Sequence, residues 1–97
     1  MSMLRVIVLD VLKPHEPSIL SLSKKISNLA GVDGCNIATI EIDKEVENVK
    51  ISVEGTDINY SEIEKIIEES GATIHSIDKV SAGKIGKGIV EEVEYDP

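Results

Sequence analysis

The chain has 97 residues, of which 10 are basic and 18 acidic, so its formal charge is −8 at pH 7. That charge repels phosphate backbones, and two tyrosines with no phenylalanine or tryptophan provide few rings on which bases could stack. We therefore expect no nucleic-acid partner. The single cysteine, Cys35, excludes an intramolecular disulfide framework and a cysteine-based zinc site within one chain.

The start of the chain, residues 1–5, lacks the basic region of a signal peptide, and its apolar run ends at Asp10. No stretch approaches the length of a membrane span. We therefore expect a cytoplasmic protein with no membrane partner.

The first predicted strand, residues 3–12, is a nearly continuous apolar run, which is typical of a strand covered on both faces. Pro14 and Pro17 interrupt the pattern, and Pro17 suits the first turn of a helix. The apolar residues of this first helix repeat at steps of three and four: Ile19, Leu22, Ile26 and Leu29. Gly31 suits the left-handed position that ends such a helix.

Two further strands are predicted at about 35–43 and 48–54, where apolar and polar residues alternate on either side of a polar hairpin tip. Asn59 is a good N-cap for a second helix, with Glu62 at capping-box spacing. That helix ends at Gly71, and residues 72–80 form the last strand.

The order β-α-β-β-α-β predicts an α+β protein with the ferredoxin-like fold. In that fold a four-stranded antiparallel sheet carries both helices on one face, and the first and third strands are central. Residues 1–82 make up this single domain. Residues 83–97 are predicted to be a Gly/Lys connector followed by an acidic C-terminal strand or arm.

One face of such a sheet has no helix over it. If Arg5 points to that face, Ile7, Leu9 and Val11 do so too, with Ile37 from the second strand. A stripe of large aliphatic side chains exceeds what an ordinary surface exposes, so we predict that these residues form the interface of a homo-oligomer. In the alternative, the C-terminal segment folds back over the stripe.

The residues with metal-ligating side chains gather, in the expected topology, at the carboxyl end of the first strand. If the third strand runs parallel to the first, Glu54 ends near Asp10, and His75 arrives from the fourth strand. Asp10, Glu54 and His75 are therefore candidate ligands for Ca²⁺, Mg²⁺, Mn²⁺ or Zn²⁺, and His15 and Glu16 are candidate ligand-binding residues. The competing interpretations are that Asp10 accepts backbone N–H bonds, that His15 is an exposed loop residue and that His75 is half-buried in the sheet.

No nucleophile–base pair, paired thiolates, aromatic RNA-binding surface or P-loop is apparent, so no catalytic residue is assigned. We predict a non-enzymatic, homo-oligomeric regulatory or binding module for a divalent cation or small metabolite. One alternative is a small metal-assisted hydrolase that uses Asp10, His15 and His75. Another is a purely structural protein-interaction subunit.

Three segments resemble a small archaeal family, the domain of unknown function 211: residues 9–17 (Leu-Asp-Val-Leu-Lys-Pro-His-Glu-Pro), residues 30–37 and residues 74–78 (Ile-His-Ser-Ile-Asp). The resemblance spans nearly the whole chain, and the Asp-Val-Leu-Lys-Pro-His run is its most specific part. It implies a ferredoxin-like fold, an archaeal source and a ring-like homo-oligomer. It implies no activity.

Overall fold

The structure is a computed structural model that describes residues 2–84. Its six elements are β1 (Met3–Pro14), α1 (Ile19–Ser27), β2 (Val32–Ile42), β3 (Val46–Gly55), α2 (Tyr60–Glu69) and β4 (Thr73–Gly83). The sheet order is β2-β3-β1-β4, and every neighbouring pair is antiparallel. This confirms the predicted ferredoxin-like α+β fold with the first and third strands at the centre. The C-terminal strand or arm predicted within 83–97 lies, from residue 85 on, outside the described residues.

The first helix begins later than the sequence pattern predicts. β1 continues through Lys13 to Pro14, which pairs with Val46. The N-cap of α1 is Ser18, whose Oγ accepts a hydrogen bond from the Ser21 N–H, so Pro17 precedes the helix and does not form its first turn. The Glu16–Pro17 peptide bond is cis. In contrast, the predicted Asn59 cap of α2 is confirmed. No helix within residues 2–84 is long and apolar enough to cross a membrane.

The hydrophobic core lies between the two helices and the central strands. Each helix contributes two fully buried residues one turn apart, Leu22 and Ile26 from α1 and Ile63 and Ile67 from α2. The strands contribute alternate residues: Ile7, Leu9, Val11, Val49, Ile51 and Val53. Eleven large aliphatic side chains are buried in this core, and each stabilises the fold by roughly 1.5–3 kcal/mol relative to exposure.

The expectation that Ile7, Leu9 and Val11 lie on the uncovered face is wrong. All three are buried against the helices, and Ile37 is on the same covered side because it pairs with Ile51. Arg5 does not indicate which face of the sheet the β1 side chains occupy, because it lies at a bulge in the β1–β4 ladder. Its Nε there donates to the Gly55 carbonyl 3.0 Å away. The uncovered face of β1 instead carries the other set of residues: Val6, Val8, Asp10 and Leu12.

The loop after α1 lies against the end of β3 at two glycines. Gly31 has φ +84°, and a Cβ there would overlap the carbonyl group of Asp57. The Gly31 carbonyl accepts hydrogen bonds from Thr56 (3.0 Å) and Asp57 (3.3 Å). A Cβ on Gly55 would in turn overlap the Gly31 carbonyl, so both positions require glycine for the close backbone approach.

Candidate functional site

Lys13 anchors a polar cluster at the carboxyl end of β1. Its position places the side chain on the covered side of the sheet, where only 1% of the residue is exposed. The Lys13 ammonium donates to the carbonyl oxygens of Pro14 (2.7 Å) and His15 (3.4 Å) and lies 3.6 Å from Oε1 of Glu47 at the start of β3. A lysine is rarely buried this completely unless acceptors surround it, as they do here.

His15 extends this cluster to the β2–β3 hairpin. Its Nδ1 lies 2.8 Å from Oε2 of Glu47, and its Nε2 lies 2.9 Å from the carbonyl oxygen of Lys44. Both partners are acceptors, so both ring nitrogens must carry a proton when both bonds are made. The hydrogen bond to Glu47, and then the one to Lys44, raises the pKa of His15 above its ordinary 6.5. The hydrogen bond from His15 correspondingly lowers the pKa of Glu47.

This arrangement limits what His15 can do chemically. A doubly protonated imidazole has no lone pair to give to a metal ion or to a proton that it would abstract as a base. The cluster of Lys13, His15 and Glu47 therefore joins the loop before α1 to the β2–β3 hairpin, which is a structural role and not that of a catalytic dyad. We call these three residues the clasp.

A second polar cluster lies on the uncovered face. Asp10 accepts a hydrogen bond from Nδ2 of Asn48, which also approaches the Val11 carbonyl oxygen at 3.5 Å. Asp78 accepts from the Ser76 hydroxyl at 2.7 Å and lies 3.7 Å from the Lys50 ammonium. Lys50 and Ser76 are the cross-strand neighbours of Asp10, so the two interactions lie side by side on the sheet. Carboxylates here already have hydrogen-bond or ion-pair partners.

The predicted metal-ligating residues do not converge. Glu54 was placed beside Asp10 on the assumption that the third strand is parallel to the first, and this is wrong because β3 is antiparallel to β1. Glu54 therefore pairs with Val6, near the opposite end of β1. His75 lies at a β4 bulge, next to the Ser76 that pairs with Asp10. Across residues 2–84 no three His, Cys, Asp or Glu side chains come together in a way that could hold a metal ion.

The other predicted site residues separate in the same way. Glu16 is exposed in the loop before α1, whereas His15 is held by Glu47. The sequence reasoning missed Glu47 and Asn48, although the alternation of the third strand contains a signal for both. Extending that alternation back from Val49 places Glu47 on the covered face and Asn48 on the uncovered face, each opposite β1.

Cys35 is half-buried in β2, and its pKa is raised to about 11 by burial. A cysteine with this pKa is a neutral thiol at physiological pH, and the thiolate is the reactive form. Cys35 also packs against the hydrophobic core, as a structural cysteine does.

The helix-covered side of the sheet leaves large aliphatic side chains exposed at both edges. At the β2 edge, Leu20 of α1 is 65% exposed and Ile42 is 68% exposed. At the β4 edge, Ile77 is 50% exposed and Val80 is 56% exposed. Ile77 and Val80 pair with the core residues Leu9 and Ile7, so the covered layer continues outward to this edge, where both side chains are half-exposed. Exposed aliphatic side chains at both edges are typical of surfaces that another molecule covers.

Comparison with known proteins places these features in a family. The family model described as uncharacterized ArCR, the domain of unknown function 211, matches residues 5–96. An uncharacterized protein of Methanocaldococcus jannaschii, MJ0319, is 54% identical over 93 residues, which cover 96% of this chain and 93% of that protein. A match of this extent confirms the resemblance, and the chain belongs to the archaeal family of the domain of unknown function 211.

Proposed function

We propose that the chain is a non-enzymatic, homo-oligomeric binding module whose copies cover one another's exposed sheet edges. The observation that carries the proposal is the exposure of four large aliphatic side chains on the covered side of the sheet, two at each edge: Leu20, Ile42, Ile77 and Val80. Removing apolar surface from water contributes about 25 cal/mol per Å², so covering these four side chains favours association by several kcal/mol.

The free edges support the same proposal. Within residues 2–84, β2 pairs only with β3, and β4 pairs only with β1. Each edge strand therefore presents a row of backbone N–H and C=O groups that can pair with another chain. An edge strand of 11 residues with exposed aliphatic side chains is a surface that natural proteins cover or protect.

Two observations favour binding over catalysis. The ring nitrogens of His15 are both directed at acceptors, and burial keeps Cys35 as a thiol. These are the residues on which a hydrolase or a covalent mechanism would depend. Cation binding at Asp10, Glu54 and His75 is not part of the proposal, because these three residues do not converge within one chain.

The mass of the particle tests the proposal. Light scattering and native mass spectrometry of the full chain at micromolar concentration should give the mass of two or more chains of 10.5 kDa each. A mass of one chain at these concentrations would overturn the proposal, because the aliphatic edges would then remain in water.

A ligand of the assembled particle can be sought in the same material. Isothermal titration of the oligomer with Ca²⁺, Mg²⁺, Mn²⁺ and Zn²⁺ would detect a site formed by oxygen ligands from two copies. Heat of binding to the oligomer would identify a cation-binding assembly, and no heat with any of the four ions would identify an assembly without a cation.

A further inference from the structure

A groove runs beside the β2 edge on the covered side of the sheet. Its volume is about 400 Å³, and its lining comes from one side of α1 and from the middle of β2: Ile19, Leu20, Ser23, Cys35, Asn36 and Ile37. The base of the groove is apolar, because Cys35 and Ile37 pack against the core there. The groove is therefore shaped to accept aliphatic side chains and not a charged ligand.

At the opposite edge of the sheet, the aliphatic side chain of Ile77 lies on the same cross-strand row as the groove. Ile77 of β4 pairs with Leu9, Leu9 pairs with Ile51, and Ile51 pairs with Ile37. Cross-strand partners lie side by side on the same face of a sheet. Ile77 at one edge and Ile37 at the other are therefore on one row across the covered side.

The second exposed residue of β4 obeys the same relationship. Val80 pairs with Ile7, Ile7 pairs with Val53, and Val53 pairs with Cys35. The spacing between Ile77 and Val80 on β4 thus corresponds to the spacing between Ile37 and Cys35 on β2, with one bulge residue, Asp78, accounting for the extra position.

The strand directions are compatible with a shared sheet. β2 and β1 are both antiparallel to β3, and β4 is antiparallel to β1, so β4 and β2 run in opposite directions. A second copy moved sideways in the plane of the sheet would bring its β2 alongside β4 of the first copy as an antiparallel pair. Both copies would then have their helices on the same side.

We propose that copies of this chain associate head to tail, with Ile77 and Val80 of one copy seated in the groove beside β2 of the next. This inference rests on the proposed function, that the chain assembles with itself, and adds which two surfaces meet. The interface is heterologous, because the surface at one edge differs from the surface that it contacts. Repetition of such a contact closes into a ring when the rotation between copies allows closure.

The charges of the two helices agree with this pairing. α1 lies on the β2 side, has no acidic residue in its first turn and carries Lys24 and Lys25 in its last turn. α2 lies on the β4 side, where Glu64 and Glu68 line a second groove of about 410 Å³. These two carboxylates are four residues apart and repel one another, and Glu68 is near the negative end of a helix whose last turn has no basic residue. Lysines from a neighbouring α1 would offset this charge.

Edge-blocked variants distinguish head-to-tail from two-fold pairing. One variant, Leu20→Lys with Ser23→Lys, places charge in the groove. The other, Ile77→Lys with Val80→Lys, charges the β4 edge. Each should assemble at least roughly 100-fold more weakly than the natural chain, because charged groups would have to be desolvated at the contact. Since each keeps one natural edge, an equimolar mixture should form a dimer of one copy of each and nothing larger, measured by native mass spectrometry.

The possible failures of this experiment are distinct. If the natural chain is monomeric, the proposed function itself fails. If the natural chain assembles but one blocked variant still forms dimers alone, the pairing is two-fold and the head-to-tail inference is wrong. Unchanged assembly of both variants would likewise overturn the inference while leaving the proposed function intact. Leu12→Lys, on the uncovered face, is the matched control and should leave assembly unchanged.

Disulfide trapping gives an independent reading of the same contact. In Val80→Cys the new thiol should lie against the natural Cys35 of the next copy, and oxidised glutathione should link the chains into a covalent ladder of three or more. Ile77→Cys combined with Ile37→Cys and Cys35→Ser repeats the test at the neighbouring row, where Ile77 would lie against Ile37 of the next copy. The controls, Val80→Cys with Cys35→Ser and Ile77→Cys with Cys35→Ser, should form no ladder. Covalent dimers without higher species in both variants would overturn the head-to-tail arrangement.

Discussion

The imidazole of His15 and the carboxylate of Glu47 are joined by a 2.8 Å hydrogen bond that connects the loop before α1 to the start of β3. The other side of the carboxylate faces the buried Lys13 ammonium. Glu47 thus lies between the buried ammonium of Lys13 and the partly exposed imidazole of His15. Each change of protonation at His15 or Glu47 should therefore alter how firmly the β2–β3 hairpin is held.

The stability conferred by His15 should depend on pH. The folded-state pKa of His15 is raised, so its contribution is complete below about 6.5 and is lost as the pH rises through that raised value. The folded-state pKa of Glu47 is lowered, so its contribution is present above about 4.5 and is lost as the pH falls through that lowered value. The free energies of unfolding of the natural chain and of His15→Gln, measured in urea, should differ most between the lowered pKa of Glu47 and the raised pKa of His15. The difference should shrink at alkaline pH.

His75→Gln is the control for this measurement, since it removes the other histidine, which lies at the β4 bulge. A pH-dependent change that appears in His15→Gln but not in His75→Gln is then specific to the hydrogen bond between His15 and Glu47. A difference between the natural chain and His15→Gln that stays constant from acid to alkaline pH would contradict the assignment of a protonated imidazole to the clasp.

Replacement of Lys13 should be among the most damaging single substitutions in the polar cluster. Lys13→Met fills similar space but removes the donor that serves two carbonyl oxygens and faces Glu47. Leaving these acceptors without a donor should lower the free energy of unfolding by roughly 2–4 kcal/mol, which urea denaturation would measure. Lys50→Met, at an exposed ion pair with Asp78, is the matched control and should cost less than about 1 kcal/mol.

The pair of Lys13 and Glu47 can also be tested for coupling. If the two side chains interact in solution, Lys13→Met combined with Glu47→Gln should cost less than the sum of the two single changes. Strict additivity would show that the lysine acts only through the carbonyl groups of Pro14 and His15.

The hydrogen bond between Asn48 and Asp10 predicts a pH-dependent effect on the uncovered face. Asn48→Asp replaces the donor with a second carboxylate beside Asp10. Like charges at this distance repel, so the variant should lose about 1–2 kcal/mol of unfolding free energy at neutral pH and regain part of it in acid. Asn48→Ala removes the donor without adding charge, and its loss should not be recovered in acid.

The order of the elements could be predicted from the sequence because helices and strands have different apolar periods. Ile63 and Ile67 recur at helical spacing, whereas Val49, Ile51 and Val53 alternate. The glycines at 31 and 71, both with φ +84°, mark the ends of the helical segments where the pattern stops.

The faces of β1 could not be predicted in the same way. Residues 6–9 and 11–12 are all aliphatic, so either alternate set could form the core. The polar residues that should decide between them give no consistent answer, because Arg5 lies at a bulge, Lys13 is on the covered side with Leu9, and Asp10 is on the uncovered side. Lys13 is buried only because three acceptors from other residues meet it, and those partners depend on tertiary structure.

The predicted convergence of the candidate metal ligands is wrong for a different reason. The expected gathering of Asp10, Glu54 and His75 took the third strand as parallel to the first, although the predicted four-stranded antiparallel sheet makes these two neighbours antiparallel. Antiparallel pairing moves Glu54 towards the start of β1 and brings Glu47 to Lys13 instead. The cluster that does form combines residues from a strand end, a loop and a hairpin, and only the register of the sheet brings them together.

The close approach of Gly31 to the β3–α2 corner predicts a graded response to alanine substitution. Gly31 and Gly71 have the same φ of +84°, so alanine at either position suffers the same backbone strain, about 1–2 kcal/mol. Only at Gly31 would the added Cβ also overlap backbone, the carbonyl group of Asp57; at Gly71 the nearest atom is the Pro14 Cγ at 3.5 Å, an ordinary contact. Gly31→Ala should therefore destabilise the fold by roughly 3 kcal/mol or more and Gly71→Ala by about 1–2 kcal/mol in urea unfolding. Gly34→Ala, with an unstrained φ and open space at its Cβ, should not destabilise and sets the baseline. Equal losses at Gly31 and Gly71 would contradict the close backbone contact that joins the α1–β2 loop to the segment before α2.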